Sequence, residues 1–428
     1  MNYDLIGIGT GPFNLSLAAM LKKTPITHKF FERSPSLNWH SEIIFNDSLM
    51  QTSFFKDLAT SVDPTSEYTF LNYLVSNGLF HTFMNTNRTV VTRREYEIYL
   101  QWAASKMEDK INFGHEVKEI SFKDNTFELK AESNGKIINA NARNICIGTG
   151  ITPRIPDFAK KLISKNVFHA KSRELSLMNL ENKNVLIIGG GQTGIEIFRN
   201  ALSSKWGKLN SIKLISNRIN LQPLDESPFT NEYFTPGYVN CFFKLDQKEK
   251  DTIIQGQKLA SDGNTPDYLE YLYNDLYRMK YIEKDTRTIE IMPNRKAHTL
   301  DLIDQHYQLS YFNHFTKKEE KTTADIVILC TGFENIIPEF IKGIAQHLEF
   351  DESNRFRFNS DFSLKWKLQS NSSSKVYALN FSRHGHGISE PQTSLMPWRS
   401  ATIINSILKT DFYNINNDKP NFINFCRD

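Results

Sequence analysis

Two stretches, Gly7-Ile8-Gly9-Thr10-Gly11-Pro12 and Gly189-Gly190-Gly191-Gln192-Thr193-Gly194, combine residue type and spacing in a way that points to chemistry. Each follows a short apolar run, Tyr3–Ile8 or Val185–Ile188, and each opens an apolar helical pattern. A dinucleotide's pyrophosphate must approach backbone N–H groups at a helix N-terminus closely, and glycine lets the turn tighten and the phosphate come near. In the first stretch Gly7 and Gly9 take the first two positions and Gly11 follows, but Pro12 stands where a third glycine is usual. Proline is compatible with a helix start. Glu32 ends the next strand about 25 residues after Gly7, the spacing of a carboxylate that hydrogen-bonds a ribose. In the second stretch Gly189, Gly191 and Gly194 satisfy the full pattern, with Gln192 and Thr193 at the helix start. The strand that follows leads into Ser216-Asn217-Arg218 rather than an acid. A carboxylate would repel a 2′-phosphate, whereas Arg218 and Ser216 would hold it, which favours NADPH over NADH. The plainer alternative is Arg218 as a solvated surface charge.

Two such cradles about 180 residues apart imply two dinucleotides, and a chain with an FAD site and a nicotinamide site moves hydride between them. The strand Ile326–Leu329 ends in Cys330-Thr331-Gly332-Phe333, where small residues, Gly332 among them, let the chain pass near the flavin-binding half. The four cysteines, Cys146, Cys241, Cys330 and Cys426, form no CxxC pair, so disulfide-reductase chemistry is excluded and neutral thiols are expected. No metal-ligand cluster is visible, and the scheme needs no metal.

The elements that must position these residues read as α/β. Expected are two Rossmann-like dinucleotide-binding domains, for FAD and NADPH, with a small, partly helical substrate segment. Residues 1–172 and 322–428 are assigned to the FAD domain, 173–221 and 284–321 to the NADPH domain, and 222–283 to the helical insertion. The length of 428 residues suits two or three domains, and 39% hydrophobic with 23% charged residues is ordinary for a globular protein. A net charge of +3 with both signs interspersed gives no basic face for nucleic acid. No apolar run reaches the roughly 18 residues of a membrane span, and Met1-Asn2-Tyr3-Asp4 enters a strand with no basic leader, so a cytoplasmic location is expected.

The chain resembles the flavin-dependent N-hydroxylating monooxygenases of siderophore biosynthesis, and within them the lysine-hydroxylating branch of the aerobactin type. The stretches that carry the resemblance begin with Ile6 to Leu15, Met50-Gln51-Thr52 with Lys56-Asp57-Leu58, and Asn144 to Gly150. They continue with Gly189 to Gly194, Asn231 to Pro236, His386-Gly387-Ile388 with Glu390-Pro391-Gln392, and Trp398-Arg399-Ser400. They occur in order and run from residue 3 to about residue 410.

The resemblance implies FAD, NADPH and O2 acting on the terminal amine of a small molecule, L-lysine foremost. It places Gln51 beside the flavin, Lys56 on the substrate carboxylate, and Asn231 between substrate backbone atoms and coenzyme. Trp39 and His40 correspond to the flavin-proximal loop, and Val117 to the backbone contact with the FAD adenine. The stretch from His386 through Gly387 to Gln392 corresponds to the turn and helix start that face flavin and amine, with His386 a catalytic candidate. Ornithine enzymes of this superfamily carry a second asparagine for the substrate's α-groups where this chain has Ser261-Asp262-Gly263, so Ser261 becomes the substrate-side candidate and ornithine is disfavoured. The resemblance also implies a homo-oligomer, tetramer or dimer. Open alternatives are the same chemistry on putrescine, cadaverine or histamine, and an NADPH oxidase or reductase that makes peroxide without hydroxylating anything.

Overall fold

Leu5, Ile6 and Ile8 are all buried, as are Ile145, Cys146 and Ile147. Strands buried on both faces belong inside a parallel sheet that is covered on both sides. The computed structural model describes residues 2–367, 373–415 and 422–426. In it these two strands, Asn2–Ile8 and Lys136–Ile147, pair in parallel at the centre of a seven-stranded sheet. His28–Glu32 and Ile111–Phe113 extend it in parallel on one side. Thr126–Ser133 and Glu116–Lys123 extend it as an antiparallel pair on the other, and Val376–Ala378 returns from the far end of the chain to pair with Lys136–Ile147.

The helix Pro12–Leu21 packs on this sheet with Met396–Leu408, two segments from opposite ends of the sequence. The helix Arg93–Ser105 covers the same face. Its start is fixed by Thr92, whose hydroxyl accepts the Glu95 N–H while the Glu95 carboxylate accepts the Thr92 N–H, a reciprocal cap that satisfies two otherwise orphaned donors.

A second, five-stranded parallel sheet runs in the order Thr288–Met292, Ser211–Ile215, Asn184–Ile188, Ile326–Leu329, Val167–His169. The sequence boundaries at 173 and 322 are corrected here. Val167–His169 and Ile326–Leu329 complete the second sheet, because Ile326 to Leu329 are buried between Asn184–Ile188 and Val167–His169 and can satisfy their backbone only there. A three-stranded antiparallel sheet, Arg295–Ile303, His306–Asn313 and Lys318–Ala324, lies alongside. Between Pro228 and Ile282 the chain is largely helical.

The cysteine expectation is also corrected. Cys241, on the helix Pro236–Phe243, is paired with Cys426, with Cα atoms 5.8 Å apart, while Cys146 and Cys330 are free. The tail reaches Cys241 because Phe425 packs its ring against Tyr233 and Tyr238, a contact between residues nearly 190 positions apart that no local pattern signals. Among the described residues no helix is long and apolar enough to cross a membrane.

Candidate active site

Both glycine turns sit at the C-terminal ends of central strands, each at a helix N-terminus with open approach. In the first, a Cβ on Gly7 would stand 2.0 Å from the Phe30 ring, and one on Gly9, at φ +83°, would stand 2.6 Å from the Gly148 carbonyl. At Gly11, the N-cap of Pro12–Leu21, nothing lies within 4 Å of that position. Larger side chains are therefore excluded where the turn packs, and space is left where a phosphate would come. Glu32 accepts the Thr10 N–H at 2.7 Å and the Ser34 N–H at 2.8 Å, which fixes its carboxylate at the rim of the turn. Val117 is buried at the start of the strand Glu116–Lys123.

In the second turn a Cβ on Gly189 would lie 2.0 Å from the Cys330 carbonyl, and one on Gly194 would lie 2.0 Å from the Gly189 carbonyl. These two glycines thus let the chain cross Cys330-Thr331-Gly332 at contact distance. Gly332 itself, at φ +81°, accepts hydrogen bonds from the Arg154 N–H and from the His169 ring. Gly191 caps the helix Gln192–Leu202, and the nearest atom to its Cβ position is Nη2 of Arg218, at 3.8 Å. The hydroxyl of buried Ser216 accepts the Arg218 N–H at 3.1 Å. Ser216 and Arg218 therefore stand beside the second turn, where the sequence pattern placed them. Thr193 is half-buried in the helix's first turn. Gln192 has both ends of its amide engaged, donating to Glu196 and accepting the Thr265 N–H at 2.8 Å, so it ties the helix start to the helical insertion.

The two units meet through a buried ion pair. Arg93 reaches Glu196 at 3.1 Å, and the Glu196 side chain is fully buried. Burial pushes the Glu196 carboxyl above the usual range against the pull of Arg93. Arg199 adds a second tie, to Asp47 at 2.9 Å.

Gln51 and Lys56 share one loop. Gln51 donates to Thr265 at 3.4 Å, so Thr265 touches the first unit through Gln51 and the second through Gln192. Lys56 is partly buried, and burial alone lowers its pKa. Its ammonium has no hydrogen bond or ion pair among the described residues. The loop is shaped by buried Asp57, whose carboxylate accepts from the N–H groups of Ala59, Thr60 and Phe70 and from the Thr60 hydroxyl. Asn231 ends the helix Pro228–Asn231, capped by Ser227, and its side chain is exposed. Ser261 accepts a hydrogen bond from Arg383 at 3.2 Å. A cavity of about 910 Å³ opens beside Arg383, lined also by Asn335, Phe356, Phe381 and His384; it does not include Gln51, Lys56 or Asn231.

Trp39 packs against Tyr96 and His40. His40 is driven down to about 3 by burial, with Lys171 and Arg93 acting in the same sense. The catalytic reading of His386 is corrected. Its ring is buried, stacked 4.2 Å from Phe362 and 4.9 Å from Phe243, and among the described residues neither nitrogen makes a hydrogen bond of ordinary geometry. Burial drives its pKa down to about 3, so the ring is neutral at pH 7. It packs the turn from beneath. Gly387 follows at φ +87°, where a Cβ would press on Phe242 and Tyr238 at 3.3 Å, and Gln392 precedes the helical start Thr393–Leu395.

His386 gives a stability prediction. A histidine whose folded pKa lies below its unfolded value binds fewer protons when folded, so stability falls as pH drops from about 6.5 toward 3. A tenfold difference in proton affinity between the folded and unfolded chain is worth about 1.4 kcal/mol. Going from pH 7 to pH 5 should therefore cost the native protein on the order of 1–2 kcal/mol through this ring. His386→Phe should remove that part of the loss, as read by urea unfolding at the two pH values. Equal acid sensitivity in both proteins would contradict the assignment.

Two sheet units, one mixed and one parallel, each with a glycine turn at a helix N-terminus and a helical insertion hydrogen-bonded to both, have the architecture of a two-dinucleotide flavoprotein. Residues 1–335 match the L-lysine 6-monooxygenase/L-ornithine 5-monooxygenase family, and the chain belongs to it. It is 36% identical to the L-lysine N6-monooxygenase of Escherichia coli over 96% of each chain. The ornithine N-hydroxylase of Kutzneria sp. 744, solved with reduced FAD, NADP+ and L-ornithine, superposes with a TM-score of 0.88 at 25% identity, covering 96% of this chain and 99% of that one. The cadaverine monooxygenase of the desferrioxamine pathway of Erwinia amylovora, solved with FAD, superposes with a TM-score of 0.90 at 22% identity, covering 98% of this chain and 97% of that one. The protein is a flavin-dependent N-monooxygenase.

Proposed function

We propose that the chain hydroxylates the terminal amine of L-lysine, with FAD at the first turn, NADPH at the second, and O2 as co-substrate, in the making of a hydroxamate siderophore. The observation that carries the choice of substrate is Lys56. A partly desolvated ammonium with no counter-ion is costly unless a ligand supplies an anion. The α-carboxylate of an amino acid would supply it, in a charge-assisted pair. Putrescine, cadaverine and histamine have no carboxylate and would leave Lys56 unpaired.

The residues present fit the two cofactors. Gly11 leaves room at a helix start and Glu32 presents a carboxylate for a ribose. Gly191, Ser216 and Arg218 offer the same room with a cation where a 2′-phosphate would lie. Val117 and Trp39 line the first site, and Gly387 and Gln392 belong to the turn that closes it. When bound, reduced flavin would supply the electrons that activate O2, one atom of which goes to the amine. The chain's own contribution is to hold and orient. Lys56 anchors the carboxylate, Asn231 takes the substrate's backbone atoms, and Gln51 sits beside the flavin ring. The reacting nitrogen must be neutral, because an ammonium has no lone pair. Burial of the amine's end of the substrate favours the neutral form.

The test is hydroxylamine formation by the flavin-loaded protein with NADPH, run in parallel on L-lysine, L-ornithine, cadaverine, putrescine and histamine. Product from L-lysine well above the others is expected. Product from a carboxylate-free amine alone would overturn the role of Lys56. NADPH consumption with peroxide and no hydroxylamine would point to an oxidase.

A further inference from the structure

The strand Ser211–Ile215 leads into a segment without an acid, yet an acid stands beside Arg218. Asp262, 44 positions further along, takes both terminal nitrogens of Arg218: Nη1 donates to the Asp262 carbonyl at 2.7 Å and Nη2 to its carboxylate at 2.8 Å. The same Nη2 is the nearest atom to the open side of Gly191, at 3.8 Å from its Cβ position. A carboxylate therefore occupies the cationic side of the second cradle.

The partners differ in freedom. The Arg218 side chain is 17% exposed and the Asp262 side chain 49%. The chain on either side of Asp262 is fixed. A Cβ on Gly263 would lie 2.3 Å from the Leu224 backbone, and Asn264 donates to the carbonyls of Gly190 and Gln222. Ser261 is held by Arg383. The carboxylate can leave Arg218 by rotating its side chain into solvent, with no movement of the segment that carries it.

We propose that Asp262 is the built-in counter-ion of the 2′-phosphate pocket, displaced by that phosphate when the coenzyme binds, and so a brake on the margin by which phosphorylated adenosine is preferred over unphosphorylated. This rests on the NADPH reading given above. A half-exposed ion pair is a weak competitor, while a phosphate brings more charge and more acceptors to the same guanidinium. The pair keeps Arg218 from standing uncompensated in the free protein. It also tempers affinity, because the phosphate must displace one carboxylate and then tolerate it nearby.

The experiment is calorimetric titration of the flavin-loaded full chain with 2′,5′-ADP and with 5′-ADP, comparing native protein, Asp262→Asn, Asp262→Ser and Arg218→Ala. Flavin content and melting temperature serve as folding controls, and two substitutions at 262 guard against one that misfolds. Native protein is expected to prefer 2′,5′-ADP, and Arg218→Ala to lose that preference. Both Asp262 variants should bind 2′,5′-ADP about fivefold or more tighter than native protein, with 5′-ADP unchanged. Unchanged or weaker 2′,5′-ADP binding in both variants, with native selectivity intact, would overturn the counter-ion role alone. Weaker 5′-ADP binding in the variants would make Asp262 a ribose ligand instead and overturn it too. Equal binding of the two nucleotides by native protein would overturn the NADPH reading, and this inference with it.

Discussion

Replacing Lys56 by methionine is expected to raise KM for L-lysine about 10- to 100-fold, the worth of a hydrogen bond to a charged group of about 1.5–3 kcal/mol. KM for cadaverine should stay within about twofold, because a diamine makes no use of the ammonium. Methionine keeps an unbranched apolar stem of similar length without the ammonium, so the loss isolates the charge. A second signature separates this role from a structural one. Burial lowers the Lys56 pKa and no anion among the described residues offsets it. The folded chain therefore binds this proton less firmly than the unfolded chain does, and stability from this group rises with pH as the ammonium loses its charge. Removing the charge should leave substrate-free stability unchanged or slightly higher, read as melting temperature. A surface lysine would show no selective KM change, and a structural lysine would show a stability cost. If KM rose equally for lysine and cadaverine, the loop would have been disturbed and the carboxylate assignment would fall. Peroxide release per NADPH should also rise with L-lysine, since an unanchored substrate leaves its amine misplaced.

The parts legible in the sequence were those where backbone geometry dictates residue type. Both glycine turns were readable because a Cβ at Gly7, Gly189 or Gly194 has nowhere to go, and the strands before them because Leu5-Ile6 and Leu186-Ile187 are buried on both faces. The strand Ile326–Leu329 is legible with its bounds, but its sheet is not, since four apolar residues say that they are buried and not beside what. Val167–His169 is only three residues long, and Lys318–Ala324 carries Lys-Glu-Glu-Lys on an exposed edge, so neither shows the pattern of an interior strand. The helices Pro236–Phe243 and Gln247–Gly256 did carry a signal, with proline at the first position after Thr235 and the reciprocal cap of Asp246 with Glu249.

The site divides in the same way. Gly11, Glu32, Gly191, Ser216 and Arg218 stand in the turns to which their spacing assigned them. Thr265, Asp262 and Arg383 were not visible, because what they do depends on partners dozens to hundreds of residues away. His386 is a catalytic candidate by resemblance alone, with a packed core histidine as the plainer alternative, and Phe243, Phe358 and Phe362, from two other segments, make it a packed ring. In the sequence Asp57 is only a neighbour of Lys56; its four hydrogen bonds show that it shapes the loop that carries Gln51 and Lys56.

Arg399→Met is expected to destabilise the protein by about 3–5 kcal/mol, the range for breaking a buried charge pair from one side. The side chains of Arg399 and Glu390 are 2% and 1% exposed and lie 3.9 Å apart. The guanidinium also donates to the carbonyls of Glu390 and Gln392, the latter at 2.7 Å, and lies 4.6 Å from the Phe13 ring centre. One cation thus ties the turn proposed to face the flavin to the helix that follows the first glycine cradle. Burial lowers the Arg399 pKa to about 10, so it remains charged near neutrality, while burial pushes the Glu390 carboxyl upward against the pull of Arg399. Methionine would fill much of the volume but leave the carbonyls of Ser389, Glu390 and Gln392 without this donor and the Glu390 carboxylate without its counter-ion. Glu390 could take up a proton to limit the damage, and the cost should then be smaller at pH 5.5 than at pH 8. Arg399→Met with Glu390→Gln should recover part of the loss, because the uncompensated charge is gone while the missing hydrogen bonds remain. Urea unfolding gives these differences, and flavin retained after gel filtration gives the local effect. The single variant should release flavin more readily than its global stability alone accounts for, since the turn loosens before the sheet does. A loss under about 1 kcal/mol with flavin retained would mean that Asn380, which donates to Glu390 at 2.5 Å, and the apolar packing around His386 hold the turn without the arginine.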